Sequence, residues 1–241
     1  GTGTNGGNQS SNFTRMGKEN FIKIARHAWE KGIHFFDTAD SYGSHTFARE
    51  VLKELPREKV TLLSKMWTTD TRWQKAGNVP ETLDRFRMET GSEYFDIVLM
   101  HCMLNGNWKE EKKAFMEGLS KAKQQGIIKA VGVSCHNWDA MKLAVEDPWV
   151  DVILARINPF GVHMDGTPEE VSGLLATAAK NGKGVIGMKI FGNGDKVKEE
   201  EREESIRYAM TNKNIHCVTL GMETTDQIDD AVERIMRHVK S

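Results

Sequence analysis

Four polar side chains stand at places where acid–base chemistry could be built. They are Asp37, Tyr42, Lys65 and His101. Asp37, Lys65 and His101 each follow a short apolar run, and Tyr42 comes five residues after Asp37. If the runs are neighbouring parallel strands, their carboxyl ends meet at one rim, where barrel enzymes carry their active sites. The spacing therefore predicts that the four groups converge on one site.

The four residue types together suit proton donation. A tyrosine titrates near ~10 and is a poor acid at neutral pH, but a neighbouring ammonium stabilises the phenolate. Lys65 is the ammonium available, and a lysine inside an apolar barrel needs a counter-charge such as Asp37. His101 is then placed to orient a substrate oxygen. This set predicts protonation of a carbonyl oxygen while another group attacks the carbon.

Each residue also has an ordinary structural explanation when it is taken alone. An aspartate after a strand is commonly a turn or cap residue, a lysine there is commonly a rim residue, and a single histidine is commonly a core group. All four residues come from three successive strand–helix units, and all lie at the carboxyl ends of the strands. This shared position favours a functional site over four unrelated structural roles.

Composition bounds the class of protein. The chain has 241 residues, 39% of them hydrophobic, which suits a single α/β barrel domain over residues 1–241. The net charge is -1 with no basic block, so neither nucleic acid nor a membrane is an expected partner. Cys102, Cys135 and Cys217 are odd in number and widely spaced, which indicates free thiols and a cytoplasmic setting.

No run approaches the roughly 20 apolar residues that cross a bilayer. The chain opens at Gly1 without a methionine, which leaves open an amino-terminal segment or export signal that was removed.

Apolar runs and amphipathic segments alternate along the chain. The predicted strands are 33–37, 60–64, 95–100, 129–134, 152–157, 185–188 and 215–220. The predicted helices cover 18–31, 48–55, 80–90, a charged segment with Phe115, Leu119 and Ala122 inward, a segment capped by Asn137, a segment opened by the capping box Thr167–Glu170, and a last stripe from Ile228 to Val239.

Seven such units predict an α/β fold, specifically a (β/α)8 TIM barrel. The eighth strand would be the first one, with Gly1–Thr4 as its tail and the rest missing. A doubly wound sheet is the alternative, but no G-x-G-x-x-G run opens a helix.

Several segments resemble the aldo-keto reductase superfamily. They are Phe36–Gly43, Leu63–Lys65, Leu99–His101 and Gly132–Ser134, in the family's order over almost the whole chain. The resemblance implies a (β/α)8 barrel in which NADPH gives a hydride directly to a carbonyl. It also implies that Tyr42 is the proton donor, Lys65 its activator, Asp37 the partner of Lys65, and His101 the group that orients the substrate.

The resemblance, together with the loops after the last strands, suggests residues that hold the cofactor. They are Ser134, Asn158, Met188, Lys189, Gly221, Thr224, Thr225 and Gln227. The match has departures: the family's Ser-Asn pair is Ser134-Cys135 here, Met188 stands near the family's stacking aromatic, and Asn158 is the nearest polar residue to the family's glutamine. Lys189 and the turn Gly192–Gly194 either bind the pyrophosphate of the cofactor or form an ordinary loop.

Gly221–Thr225 leads into the last helix, whose free N–H groups favour phosphate. Many relatives add a cation there for the 2′-phosphate, whereas this chain has Gln227 and Asp230. NADPH is therefore the expected cofactor, with NADH possible.

The expected partner is a small carbonyl substrate, and the protein is expected to be a monomer or a small homo-oligomer. Four residues either wall an apolar pocket for a hydrophobic aldehyde or ketone, or pack helices: Trp67, Trp73, Met103 and Trp108. Two other functions stay open, namely a nucleotide-binding regulatory barrel with little turnover and a Schiff-base aldolase that uses Lys65. Zinc chemistry at His101-Cys102 and Cys135-His136 is disfavoured, because successive strand residues face opposite sides.

Overall fold

The computed structural model describes residues 1–71 and 74–239, and in this part of the chain strands alternate with helices. The strands are β1 Phe35–Asp37, β2 Thr61–Met66, β3 Phe95–Met103, β4 Ile128–Cys135, β5 Val152–Arg156, β6 Gly184–Met188 and β7 Cys217–Val218. The α-helices are α1 Asn12–Arg15, α2 Lys18–Glu30, α3 His45–Leu52, α4 Val79–Thr90, α5 Trp108–Glu111, α6 Lys113–Gln124, α7 Trp138–Glu146, α8 Pro168–Lys180, α9 Glu199–Thr211 and α10 Thr225–Val239.

The strands follow one another in the sheet in chain order, from β1 to β7. The pairs β1–β2, β2–β3, β4–β5, β5–β6 and β6–β7 are parallel. A doubly wound sheet reverses its strand order part-way, whereas an α/β barrel adds each strand beside the preceding one. The parallel α/β barrel architecture predicted from the sequence is therefore confirmed, and the doubly wound alternative is wrong.

The predicted eighth strand is not confirmed. Residues 1–4 lie outside the described strands, although the Thr2 N–H donates to the Asp37 carbonyl at 2.9 Å. A missing first strand therefore stays a prediction.

The chain forms two compact units, and the expectation of a single domain stays a prediction. The first unit comprises Gly1–His101, Lys109–Val131 and Gly221–Ile228, and its core includes Leu63, Phe86 and Leu99. The second unit comprises Cys102–Trp108, Gly132–Leu220 and the chain from Asp229, and its core includes Ile153, Leu175 and Val185.

Local signals fixed several helix starts as predicted. The Asn137 side chain accepts from the N–H groups of Asp139 and Ala140 at the start of α7. Thr167 and Glu170 form a reciprocal capping box at the start of α8, with Pro168 as the first helical residue. These caps satisfy N–H groups that have no partner inside the helix.

Other boundaries differ from the prediction for physical reasons. The Ile33 N–H bonds to the Ala28 carbonyl, so Ile33 closes α2 and β1 begins only at Phe35. Helix α9 was not predicted, because its first turn is acidic and only Ser205, Ile206 and Ala209 are buried. Strand β7 has two residues where six were expected. In α6, Met116 is buried together with Leu119 and Ala122, while Phe115 is half-buried.

None of the helices in residues 1–71 and 74–239 is both long enough and apolar enough to cross a bilayer.

Candidate active site

A tight turn after β1 presents Tyr42. Residues Asp40–Tyr42 form one turn of 3-10 helix, closed by the Tyr42 N–H donating to the Ala39 carbonyl at 3.1 Å. Gly43 follows with φ of 66°, a conformation that side chains other than glycine disfavour. The chain then enters α3 at His45. The tyrosine is thus held between the end of β1 and the start of α3, as the spacing from Asp37 predicted.

Lys65 is buried in the first unit, where its ammonium bonds two oxygen acceptors. Its exposed fraction is 1%, and its Nζ forms an ion pair with the Asp37 carboxylate. Nζ also donates to the Thr38 carbonyl at 2.9 Å. The β1–β2 register makes this contact possible, because Asp37 lies opposite Leu63, two residues before Lys65 on the same face. A buried ammonium needs such a carboxylate, since an unpaired one loses its hydration without compensation.

The Lys65 ammonium also lies beside the Tyr42 phenol. Nζ is 4.8 Å from the centre of the Tyr42 ring. Burial is the largest influence on Lys65 and lowers its pKa, but the Asp37 carboxylate and the Tyr42 phenol together outweigh it and raise the pKa above 10.5. Lys65 is therefore cationic at neutral pH. A permanent positive charge at this position favours the ionised form of a neighbouring phenol.

His101 completes the group from the end of β3. Its side chain is buried, with 6% exposed, and its ring meets the Tyr42 ring edge-on at a centroid distance of 5.7 Å. The Trp67 ring packs edge-on against the same imidazole at 5.6 Å. Ser41 Oγ lies 3.5 Å from His101 Nδ1. The predicted convergence of the four polar residues is therefore confirmed.

This arrangement can donate a proton in a specific place. In such an arrangement a phenol can supply a proton, an ammonium can stabilise the anion left behind, and a carboxylate can hold the ammonium. The imidazole ring of His101 is in edge-on contact with the phenol ring. It can therefore hydrogen-bond a substrate oxygen that approaches the phenol.

In the second unit, the side chains of two residues predicted to bind the cofactor form hydrogen bonds with backbone groups. Ser134 Oγ accepts from the Cys102 N–H at 2.9 Å. The Asn158 amide nitrogen donates to the Val162 carbonyl at 2.8 Å and to the Lys189 carbonyl at 3.2 Å. Its amide oxygen accepts from the N–H groups of Phe160 and Val162. A cofactor contact by Asn158 would have to share atoms that organise this loop, and its role stays a prediction.

Met188 and Lys189 lie where β6 ends. Met188 is buried as the last residue of the strand. Lys189 is half-buried with φ of 59°, and its Nζ donates to Asn193 Oδ1 at 2.5 Å. The ammonium and the turn Gly192–Gly194 are thus linked directly.

In the first unit, the loop after β7 closes on itself at the start of α10. The Gln227 N–H donates to Thr224 Oγ1 at 3.2 Å, and Gln227 Oε1 accepts from the Glu223 N–H at 2.7 Å. Glu223 in turn accepts from the Asn12 amide at 2.6 Å. Gly221 lies against Thr4, which leaves no room for a side chain. The backbone N–H and the side-chain oxygen of Gln227 are therefore both bonded within this loop, and its contact with a cofactor stays a prediction.

A family model described as the aldo/keto reductase family matches residues 1–240. The chain belongs to the aldo/keto reductase family. Two curated members are each 32% identical to it: a probable aldo-keto reductase 1 from Glycine max over 133 residues and the uncharacterized oxidoreductase YtbE from Bacillus subtilis over 162 residues. These matches cover 51% and 62% of this chain, and 37% and 52% of those relatives, so the chain spans about half or less of their length.

A further curated relative, L-galactose dehydrogenase from Arabidopsis thaliana, is 22% identical over 92% of this chain and 80% of its own length.

Solved aldo/keto reductases share the fold. The holo form of one from Bacillus halodurans superposes with a TM-score of 0.74 at 16% identity, over 93% of this chain and 87% of the other. One from Klebsiella pneumoniae, in complex with NADP and acetate, gives a TM-score of 0.71 at 11% identity, over 90% and 80%. At these identities the likeness establishes the fold alone.

The site of this family member contains a buried network that was not predicted from the sequence. His45 Nδ1 lies 2.8 Å from Glu89 Oε2, and His45 Nε2 lies 2.8 Å from Ser64 Oγ. Ser64 directly precedes Lys65 in β2. The histidine thus joins α3 and α4 to the strand that carries Lys65. The signal in the sequence is its helical spacing from Ala48 and Leu52, which places His45 on the buried face of α3.

The predicted pocket walls separate into two groups. Trp67 packs on His101, as a wall residue would. Met103 and Trp108 are each 1% exposed, and the Trp108 indole N–H donates to the Ala140 carbonyl at 3.1 Å. Trp108 therefore packs against α7. Trp73 lies outside the described residues.

Proposed function

We propose that this protein reduces an aldehyde or ketone to an alcohol, with a hydride from a nicotinamide nucleotide and a proton from Tyr42. The observation that carries the proposal is the buried Lys65 ammonium, 4.8 Å from the centre of the Tyr42 ring and paired with Asp37. Family membership supports it, and one relative that is 25% identical over 134 residues is named methylglyoxal reductase. The substrate of this chain is proposed only as a class.

The residues act in sequence on the carbonyl oxygen. His101 bonds that oxygen and fixes it beside the Tyr42 hydroxyl. As negative charge grows on the oxygen, Tyr42 transfers its proton and becomes a phenolate. Lys65 stabilises the phenolate, and Asp37 prevents the ammonium from turning away. A nicotinamide nucleotide, when bound, supplies the hydride to the carbon.

NADPH is the proposed cofactor, with NADH as the alternative. Two separate features suit a phosphate-bearing ligand in their chemistry. Lys189 supplies a cation, and the first turn of α10 carries N–H groups that have no carbonyl partner inside the helix. A relative from Klebsiella pneumoniae binds NADP. We propose that Thr224 and Thr225 contact phosphate, that Ser134 and Asn158 contact the nicotinamide amide, and that Met188 packs on the ring. Gln227 and Gly221 would shape this loop.

The Schiff-base alternative is disfavoured by the state of Lys65. A nucleophilic lysine must lose its proton, which a lowered pKa allows. The pKa of Lys65 is raised, because Asp37 and Tyr42 outweigh the effect of its burial. The amine is also engaged by Asp37 and Thr38. Borohydride treatment with an aldehyde is therefore expected to leave Lys65 unmodified.

The direct test follows loss of reduced-nucleotide absorbance with a panel of aldehydes, ketones and quinones. NADPH and NADH are compared at equal concentration, and Tyr42→Phe is the matched blank because it removes one oxygen. We expect NADPH-dependent turnover with at least one hydrophobic aldehyde. Saturable nucleotide binding without turnover on any compound would contradict the proposal and favour the regulatory barrel.

A further inference from the structure

A glycine-rich segment at the start of the chain lies directly on Tyr42. We refer to residues 1–10 as the glycine strap, since it contains Gly1, Gly3, Gly6 and Gly7. One backbone hydrogen bond ties it to the end of β1, and a second ties it to the turn that carries the tyrosine. The Thr2 N–H donates to the Asp37 carbonyl at 2.9 Å, and the Gln9 N–H donates to the Ser41 carbonyl at 3.0 Å. The strap is thus fixed at two points on the segment that leads to the tyrosine.

Side-chain contacts reinforce these two ties. Thr2 Oγ1 lies 2.8 Å from Ser44 Oγ, and the Gln9 amide nitrogen donates to Asp40 Oδ1 at 3.2 Å. Thr2, Ser44 and Asp40 are all buried. The strap is therefore an integral part of the first unit, and its backbone cannot shift without breaking buried hydrogen bonds.

Between these ties, Gly3 and Gly6 contact opposite edges of the Tyr42 ring. A Cβ on Gly3 would lie 2.8 Å from Tyr42 Oη and nearer still to Cε2 and Cζ. A Cβ on Gly6 would lie 2.7 Å from Cδ1, 2.9 Å from the Gly3 carbonyl oxygen and 3.1 Å from Cε1. These separations are well inside van der Waals contact, so a methyl group on Gly3 would displace the ring, and one on Gly6 would displace the ring and press on the Gly3 carbonyl.

Close approach is the reason for glycine at these two positions. Neither Gly3 nor Gly6 has a φ in the left-handed region, so alanine is compatible with their backbone conformation. Gly7, the next glycine, has nothing within 4 Å of where its Cβ would stand. The chain therefore provides a matched control one residue away from Gly6.

We propose that Gly3 and Gly6 are positioning residues that hold the Tyr42 phenol against Lys65. The same ring lies 4.8 Å from Lys65 Nζ and 5.7 Å from the His101 ring, so a displaced ring would change both relations. We call this contact of Gly3 and Gly6 with the Tyr42 ring the clamp. Its role in catalysis rests on the proposed function, whereas the contact itself does not. Proton transfer is sensitive to small displacements, because the reacting groups must be within hydrogen-bond reach.

Ultraviolet titration of tyrosinate tests the clamp without turnover. The chain has three tyrosines, Tyr42, Tyr94 and Tyr208, so subtracting the Tyr42→Phe titration isolates Tyr42. Gly3→Ala and Gly6→Ala are expected to move the Tyr42 midpoint to higher pH, because the phenol moves away from the ammonium. Gly7→Ala is expected to leave the midpoint unchanged. Equal midpoints in all three variants and the parent protein would overturn the proposal.

An unfolding cycle covers the case in which a variant loses stability. The cost of Gly3→Ala in urea unfolding is measured in the parent protein and in Tyr42→Ala, where the obstructing ring is gone. We expect the cost to be largely relieved in the second background, since the two sites interact directly. A cost that persists in full would overturn the proposal, because it would mean that Gly3 is required for another reason.

Turnover distinguishes failure of the clamp from failure of the proposed function. With an active substrate, Gly3→Ala and Gly6→Ala are expected to lower kcat between about tenfold and a hundredfold with little change in KM for the nucleotide, while Gly7→Ala is neutral. A shifted midpoint with no turnover in the parent protein would refute the reductase and leave the clamp standing. Unchanged kcat and midpoint in both alanine variants of an active enzyme would refute the clamp alone.

Discussion

Lys65 Nζ lies 4.8 Å from the centre of the Tyr42 ring while it is bonded to the Asp37 carboxylate and the Thr38 carbonyl. The ammonium is therefore fixed on one side by two oxygens and presents its charge to a phenol on another. This single relationship connects strand pairing to chemistry, because the β1–β2 register sets the position of Asp37 relative to Lys65.

Lys65→Met tests the ammonium and separates its chemical role from its structural one. We expect kcat to fall by about a hundredfold or more, because the phenolate loses its stabilising charge. Stability should also fall, by about 3–5 kcal/mol, since Asp37 is left buried without a partner. The double variant Lys65→Met/Asp37→Asn should recover part of the unfolding free energy and none of the activity. Recovery of both would mean that Lys65 has only a structural role.

His101→Gln tests substrate orientation. The variant keeps a hydrogen-bonding side chain but moves the donor, so we expect kcat/KM for the carbonyl compound to fall about tenfold to a hundredfold. Nucleotide binding should not change. His163→Gln is the control, because His163 is about half exposed and pairs with the exposed Asp195. Equal kinetics for the two variants would remove His101 from the mechanism.

His45→Leu tests the buried network behind β2. The histidine is 3% exposed and bonds both Ser64 and Glu89, so the substitution removes a partner of the buried Ser64 hydroxyl and leaves Glu89 to Arg85. We expect the unfolding free energy to fall by about 1–3 kcal/mol in urea titrations. His45→Leu/Ser64→Ala should be less destabilised than the sum of the two single variants. Simple additivity would show that the two side chains are not coupled.

Acid stability tests Glu89 in the same network. Burial is the largest influence and raises the pKa of Glu89, but hydrogen bonds from His45 and Arg85 outweigh it and lower the pKa below 4.5. A carboxyl whose pKa is lowered on folding stabilises the protein above pH 4.5, and this stability is lost as the pH falls through the folded pKa. Glu89→Gln should therefore be less acid-sensitive than the parent protein. Parallel curves of unfolding free energy against pH would contradict this.

Some elements and site residues could be predicted from the sequence, and others could not. Asp37, Lys65 and His101 were recognisable because each follows an apolar run, and strand ends on one rim converge whatever the helices do. Thr167–Glu170 and Asn137 were recognisable because capping is local. Helix α9 was missed because its charged first turn hides the three residues that it buries.

Contacts between distant segments could not be read from the residues. Asn158 was proposed as a cofactor ligand, yet its amide holds the backbone of its own loop and of Lys189. Trp108 was offered as a pocket wall or a packing residue, and its hydrogen bond to Ala140 shows the second. By sequence Gly3 belonged to the tail of the predicted first strand and Gly6 to no predicted element, and only their closeness to the Tyr42 ring points to a need for glycine there.

Single-turnover reduction by the parent protein and Tyr42→Phe tests the central claim most directly. Protein saturated with NADPH is mixed with an aldehyde that the parent reduces, and nucleotide oxidation is followed in time, with nucleotide affinity measured separately by fluorescence. We predict that the phenylalanine variant binds NADPH as tightly as the parent and oxidises it about a hundredfold to ten-thousandfold more slowly. Equal rates in the two proteins would contradict the assignment of Tyr42 as the acid.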